Sequence, residues 1–426
     1  MNNDDNTPSN LSESITNSLA NSAVSRRRAI RLGAFGIGGI ALGGLAAACG
    51  GDDEAASTTA PSTGAGTTAP AGTTPGTTPV TTAGSTATTT AGTGSGTAME
   101  SVKAHFVYIG PPDDNGWTQE HDRGRLEAQS ALGDKVVTDF TPNIGFDAST
   151  AQLFQQLVDD GNDIIFANTE YAGLLSDVAA ANPDTKFVET NGHVFTSNLF
   201  GFYFAHETAA YALGVAAALL TENGRIGYIG AFPSATTYND VNGLLLGARS
   251  INPDATVETV LVSTFFDPQK AAQAAEALLS NGVEMLFGVM DEPTFLQLAE
   301  AAGVWTGYWN LDFREAAPTK YVSNFDLSAL GPFYTEQLQA VLDGTWVPPS
   351  EVVLLETPLG AFGDEVPQEV QDQVNAVYAQ LQSGELSVYN GPLMDTNGNE
   401  VLAAGDTIDS LGAYAIDWAV EGVTGV

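Results

Sequence analysis

From residue 102 onward, short apolar runs alternate with stretches whose apolar positions recur every three or four residues. Runs of the first kind read as buried strands, and stretches of the second kind as helices with one apolar face. The pattern predicts strands at 102–109, 136–140, 163–167 and 186–189, with helices at 120–132, 151–160 and 171–181 between them. An Ala-rich helix at 207–221 follows, and the cycle then restarts. Its second series has strands at 225–229, 257–262, 284–289 and 304–309, separated by helices at 238–251, 267–280 and 293–302. In helix 151–160 the apolar face carries Leu153, Phe154, Leu157 and Val158. In helix 267–280 it carries Ala271, Ala274, Ala275, Leu278 and Leu279. Such alternation means βαβ units and parallel sheets. Two successive series of about 100 residues suit two similar lobes better than one large sheet. The expected class is therefore α/β, with two Rossmann-like lobes, the first at 102–222 and the second at 223–322. Residues 347–426, with a helix at 368–381, are expected as an extension packed on the lobes.

The N-terminus has a different character. Ser25-Arg26-Arg27-Arg28-Ala29-Ile30-Arg31 precedes sixteen uncharged, Gly-rich residues, 33–48, which end at Leu45-Ala46-Ala47-Ala48-Cys49-Gly50. Sixteen residues fall short of the roughly 20 that a helix needs to cross a bilayer. A basic cluster before a short apolar run is the pattern of an export signal, and paired arginines point to the twin-arginine route. Small residues before the only cysteine resemble a lipobox, so residues 1–48 read as a signal peptide and Cys49 as the lipidated residue. Gly36-Ile37-Gly38-Gly39-Ile40-Ala41 matches a dinucleotide fingerprint in form alone, because no strand precedes it. Residues 49–98 are dominated by Thr, Ala, Gly, Ser and Pro, too poor in large apolar side chains to offset chain entropy. They read as a disordered linker, which as a flexible coil spans on the order of 35–40 Å.

Composition narrows the partners. With Cys49 committed to lipid, no thiol remains for a disulfide or a thiolate metal site. The net charge is −37, and of 14 Lys+Arg only ten lie outside the signal. A domain this acidic repels phosphate backbones and anionic lipid heads, which argues against nucleic-acid partners and peripheral membrane binding. Neither a cofactor nor a metal is expected. Asp395-Thr396-Asn397-Gly398-Asn399 looks like a calcium loop, but its glycine stands fourth rather than sixth and no Glu follows at position twelve. A hairpin turn through Asn397-Gly398 is the expectation.

In open parallel sheets, ligands bind beyond the carboxyl ends of the strands. The residues there are Asp113, Asp114, Asn115, Gly116 and Trp117 after the first strand, and Asn168, Thr169 and Glu170 after the third. In the second series they are Phe232 and Pro233, then Met290, Asp291 and Glu292, then Asn310, Leu311 and Asp312. Stacking faces with a few aimed polar groups suit a flat polar heterocycle or a sugar.

Several segments resemble the basic-membrane-protein family of ABC-transporter substrate-binding lipoproteins, the relatives of the purine nucleoside receptor. They are residues 110–125 (GPPDDNGWTQEHDRGR), 161–187 (GNDIIFANTEYAGLLSDVAAANPDTKF), 224–253 and 341–346 (VLDGTW). The resemblance runs from about residue 102 to the C-terminus. It implies a type I periplasmic-binding-protein fold whose lobes are joined by a hinge, with three crossings expected near residues 205, 223 and 322, a return to lobe 1 at 323–346, and a ligand closed between the lobes without catalysis. It also implies a permease in the membrane as partner, and a monomer is expected. Residue by residue, it makes Asp114 a binder of ring donors, Trp117 a stacking face, Phe232 the opposite face and Asp312 a reader of the ring edge. Asn168, Asp291 and Asn310 complete the candidate set. Where nucleoside-binding members carry a lysine, this chain has Ser323-Asn324-Phe325-Asp326. The missing ribose contact favours a free base or another solute.

An enzyme is the rival reading. Its histidines, His105, His121, His193 and His206, are scattered, and no Gly-x-Ser-x-Gly elbow, P-loop or His-Glu-x-x-His motif occurs in the domain. Asp113 and Asp114 are adjacent, which does not establish the separation a glycosidase needs. A sugar receptor of the same fold is the second alternative.

Overall fold

The computed structural model describes residues 97–426. The arginine-led segment, Cys49 and the linker up to residue 96 lie outside the described residues. No described helix is long and apolar enough to cross a membrane.

The first half builds one parallel sheet from β1 (Val102–Val107), β2 (Val136–Thr141), β3 (Ile164–Ala167), β4 (Lys186–Thr190) and β5 (Leu199–Phe204). Helices α1 (Trp117–Leu132), α2 (Ala148–Asp159) and α3 (Gly173–Ala181) connect its strands. Then come α4 (His206–Leu220), β6 (Arg225–Gly230), α5 (Ala235–Arg249), β7 (Thr256–Leu261), α6 (Pro268–Ser280), β8 (Met285–Gly288), α7 (Thr294–Ala302), β9 (Trp305–Tyr308) and β10 (Tyr321–Asn324). These strands form a second parallel sheet. Omitting one edge strand from each, the orders are β5-β4-β3-β1-β2 and β10-β9-β8-β6-β7, the same arrangement twice. Every strand expected from the sequence is present. Runs such as Ile164–Ala167 are buried at every position, because helices cover both faces of each sheet.

Four features differ from the expectation or go beyond it. The first is β5, residues LFGFYF, an apolar run buried throughout that is not among the expected strands. The second is α4, expected in lobe 1. It packs along α5, where a Cβ on Gly247 would overlap the Tyr211 carbonyl and one on Gly214 the Leu244 carbonyl. Helix α4 therefore belongs to the second lobe, and the crossing expected near 223 does not occur. Third, 330–342 is not among the expected helices, although its return to the first lobe is expected: in α8 (Leu330–Leu342), Leu330, Phe333 and Tyr334 join the core of Phe106 and Phe166.

The fourth concerns the tail, which is part of both sheets rather than a cover on them. Strand β11 (Val353–Leu355) pairs with β5, and the chain then runs into α9 (Gln368–Ser383). Val370 and Val374 of α9 share a core with α4 and α5. Short strands β12 (Tyr389–Asn390), β13 (Leu393–Met394), β14 (Glu400–Leu402) and β15 (Thr407–Ile408) form two small ladders, followed by α10 (Ser410–Ala413). Strand β16 (Val423–Thr424) ends as the edge partner of β7. The β13–β14 hairpin turns at Asn397-Gly398, as expected, with Asp395 Oδ1 accepting from the N–H groups of Asn397 and Asn399.

The chain thus passes between lobes at Ala205, near Phe325 and near Pro358, and the three passages are bonded together. Ala205 N–H donates to the Leu355 carbonyl (2.9 Å), Thr357 Oγ1 donates to the Ala205 carbonyl (3.0 Å), and Asp326 N–H donates to the Pro358 carbonyl (2.8 Å).

Candidate functional site

A cavity of about 620 Å³ lies between the carboxyl edges of the two sheets. Lobe 1 contributes Trp117, Glu170, Asp177 and His193, lobe 2 contributes Phe232, Phe265, Asp291 and Trp309, and the tail contributes Tyr414. This is the concave, largely aromatic setting in which small solutes are held.

Trp117 is the first residue of α1, and two lobes hold it. Its Nε1–H donates to the Asn168 carbonyl on its own lobe (2.7 Å), and its backbone N–H donates to Asp291 Oδ1 on the other (3.1 Å). The same interface brings Tyr308 Oη to within 3.2 Å of the Asn115 carbonyl, to which it donates. Gly116 makes this approach possible, since a Cβ there would overlap the Asp291 carboxylate. The lobes are closed on one another along this seam.

The ring contacts differ from the expected sandwich. Trp117 lies parallel to Trp309, with centroids 5.8 Å apart and planes at 14°. Two rings stacked face to face on a third stand about 7 Å apart, at the far end of direct ring contact, so this pair leaves no slot between its members. Phe232 meets Phe265 edge-on at 5.7 Å. The cavity therefore has one aromatic wall made of two tryptophans, shared between lobes, and another made of two phenylalanines.

Asp291 is the carboxyl that lobe 2 brings to this space. Burial pushes it well above the ordinary carboxylate range, the charge of Asp114 adds to this, and the Trp117 N–H opposes both. Glu170 and Asp177 line the opposite side. Glu170 stands 3.3 Å from His193, which stacks on Tyr414 at 4.3 Å and 18°. Tyr414 Oη also donates to the Gly192 carbonyl, so a tail residue completes the lobe 1 wall.

Of the residues singled out in the sequence, Trp117, Phe232 and Asp291 come together at the cavity. The other four do not line it. Asp114 caps α1 instead: its carboxylate accepts from the N–H groups of Gly116, Thr118 and Gln119. Asn168 is buried, accepts from Ile109 N–H at its amide oxygen, and supports Trp117 through its backbone carbonyl. Asn310 has φ 71°, and its amide oxygen is set to accept from Trp117 N–H and Trp309 Nε1–H. Asp312 turns away to Arg314, whose Nε donates to it at 2.8 Å. The ring-edge roles expected for Asp114 and Asp312 are therefore corrected, because other donors already occupy both carboxylates.

Residues 101–301 match the family described as ABC transporter substrate-binding protein, PnrA-like. A purine-binding protein of Brucella abortus is 33% identical over 329 residues, covering 76% of this chain and 94% of that protein. A putative ABC transporter glucose-binding protein of Haloferax volcanii is 32% identical over 307 residues, covering 71% of this chain and 78% of that protein. Among solved structures, an ABC transporter solute-binding protein from Conexibacter woesei superposes with a TM-score of 0.54 at 23% identity, over 67% of this chain and 98% of that one. That likeness bears on the fold alone.

Proposed function

Because the chain belongs to the PnrA-like family of ABC transporter substrate-binding proteins, we propose that its cavity captures a purine base or nucleoside for uptake. One observation carries the choice of solute. The walls are aromatic, carboxyls and imidazoles stand beside the hydroxyls of Ser234 and Thr236 and the amide of Asn191, and among the described lining residues none is Lys or Arg. Aromatic faces take a flat heterocycle, and carboxylates accept from its amino and ring N–H groups. A phosphate in the same place meets the carboxyls of Glu170 and Asp177 with no Lys or Arg among the described lining residues to offset them, which disfavours nucleotides. The name of the Brucella relative agrees with this reading.

A sugar is the second reading. It is favoured by the Haloferax relative at nearly equal identity and by carboxylates beside aromatic rings. Titration with adenine, guanosine and glucose separates the two.

The protein binds without turnover and delivers its solute to a membrane permease as a monomer. It works outside the cell membrane, tethered by lipid on Cys49 with the threonine-rich segment as spacer. Support for the tether is the arginine-led run ending at Ala46-Ala47-Ala48-Cys49. Ligand draws the lobes together about the passages at Ala205, Phe325 and Pro358, because in the closed form alone it touches both walls.

A further inference from the structure

One buried imidazole lines the cavity between the two sheets. His206 is the first residue of α4, directly after the Ala205 passage, and it is 2% exposed yet lines the cavity. Aromatic rings surround it: Trp309 at 5.4 Å, Phe325 at 6.0 Å and Phe204 at 6.2 Å between centroids. Its Nδ1 faces Asp240 Oδ1 at 3.4 Å, an ion-pair distance outside hydrogen-bond geometry, and neither atom has a hydrogen-bond partner among the described residues. Asp240, itself fully buried on α5, accepts from Tyr228 Oη at its other oxygen (2.7 Å).

We infer that Asp240 fixes His206 as the Nδ1–H tautomer, so that Nε2 meets the cavity as an acceptor selecting ligands by an N–H or O–H donor. The inference deepens the proposed function and rests on its reading of the cavity as the ligand site. The chemistry follows from the inventory of the two side chains. A carboxylate only accepts, so the imidazole nitrogen turned toward it carries the proton, and the neutral ring keeps one lone pair, on the other nitrogen. A third group orienting the imidazole is the arrangement by which hydrolase triads fix a histidine tautomer, and here Tyr228 in turn orients Asp240. With Trp309 and Phe204 against the ring, His206 has little room to rotate. A ligand lacking a donor at that point leaves a buried lone pair unpaired, which is how hydrogen-bonding sites reject near-isosteres.

The test uses the full chain with labelled histidines, long-range proton–nitrogen spectra and adenine as the probe. Loss of one signal in His206→Gln assigns the resonance among the four histidines. The ligand-free protein is expected to show His206 protonated at Nδ1 alone, and Asp240→Asn is expected to move the proton to Nε2. A ring protonated at Nε2, or at both nitrogens, in the wild type overturns the inference whether or not adenine binds. Adenine calorimetry supplies the second reading. His206→Phe keeps the ring packing and is expected to weaken binding on the order of tenfold. His206→Gln, whose amide oxygen reaches the Nε2 position, is expected to restore most of the loss. His206→Phe binding as tightly as wild type also overturns it. Wild type that binds no adenine counts against the purine reading, while the spectrum still decides the tautomer.

Discussion

The backbone N–H of Trp117, on one lobe, donates to Asp291 Oδ1 on the other across 3.1 Å, next to a glycine that has no room for a Cβ. This contact joins the two lobes beside the cavity. Gly116→Ala is expected to hold the seam apart and weaken ligand binding about tenfold, the scale of overpacking by one methyl. Melting of the ligand-free protein should change little, because the substitution touches no core cluster. Scattering from the variant should show a larger radius with ligand than the wild type shows. An unchanged affinity in Gly116→Ala would detach the seam from binding.

Asp312 is bound to Arg314 on the surface, away from the cavity. Asp312→Asn is therefore expected to leave ligand affinity within about twofold and to cost at most about 1 kcal/mol, the usual worth of an exposed pair. A tenfold loss of affinity on calorimetry would restore Asp312 to the site.

Glu207 governs a pH dependence of stability. Burial pushes its carboxyl up to about 7, against the pull of Ser410 and of His206. The folded state therefore holds a proton that the unfolded chain has released above the usual value of 4.5. The contribution is fully present below 4.5, falls as pH rises toward 7 and is gone above it. Glu207→Gln keeps the neutral form at every pH. Its melting temperature relative to wild type is expected to rise between pH 5 and pH 8, and a pH-independent difference would contradict the assignment.

Anchoring turns on one atom. Cys49→Ala is expected to move the protein from the membrane fraction to the soluble fraction or to leave its precursor uncleaved. Mass spectrometry of the wild type should find a diacylglyceryl group on Cys49, and an unmodified thiol there would refute the tether.

Much of the fold was legible because its strands are short apolar runs and its helices have one apolar face. Trp117, Phe232 and Asp291 were legible for the same reason, since each follows a readable strand and strand ends face the ligand in such sheets. Asp114 misled because a carboxylate at a strand end looks the same whether it caps the next helix or faces a solute. Here the N–H groups of Gly116, Thr118 and Gln119 decide it. Asp312 was similarly ambiguous until the loop brought Arg314 onto it. Tyr414 and His193 stand 221 residues apart and meet where the tail runs against lobe 1, with Tyr414 Oη on the Gly192 carbonyl, so no local pattern announces them. His206 was visible as a scattered histidine, but its meaning depends on Asp240, which lies on a different helix.

The central claim is that the aromatic walls between the lobes hold a purine. Calorimetry with adenine, guanosine and glucose on the wild type, Trp117→Ala and Phe232→Ala tests it most directly. The account expects a purine to bind and glucose not to, with each alanine variant weaker by about ten- to a hundredfold, as loss of roughly 1–3 kcal/mol of stacking requires. Glucose binding in place of both purines, or alanine variants that bind a purine as tightly as wild type, would contradict it.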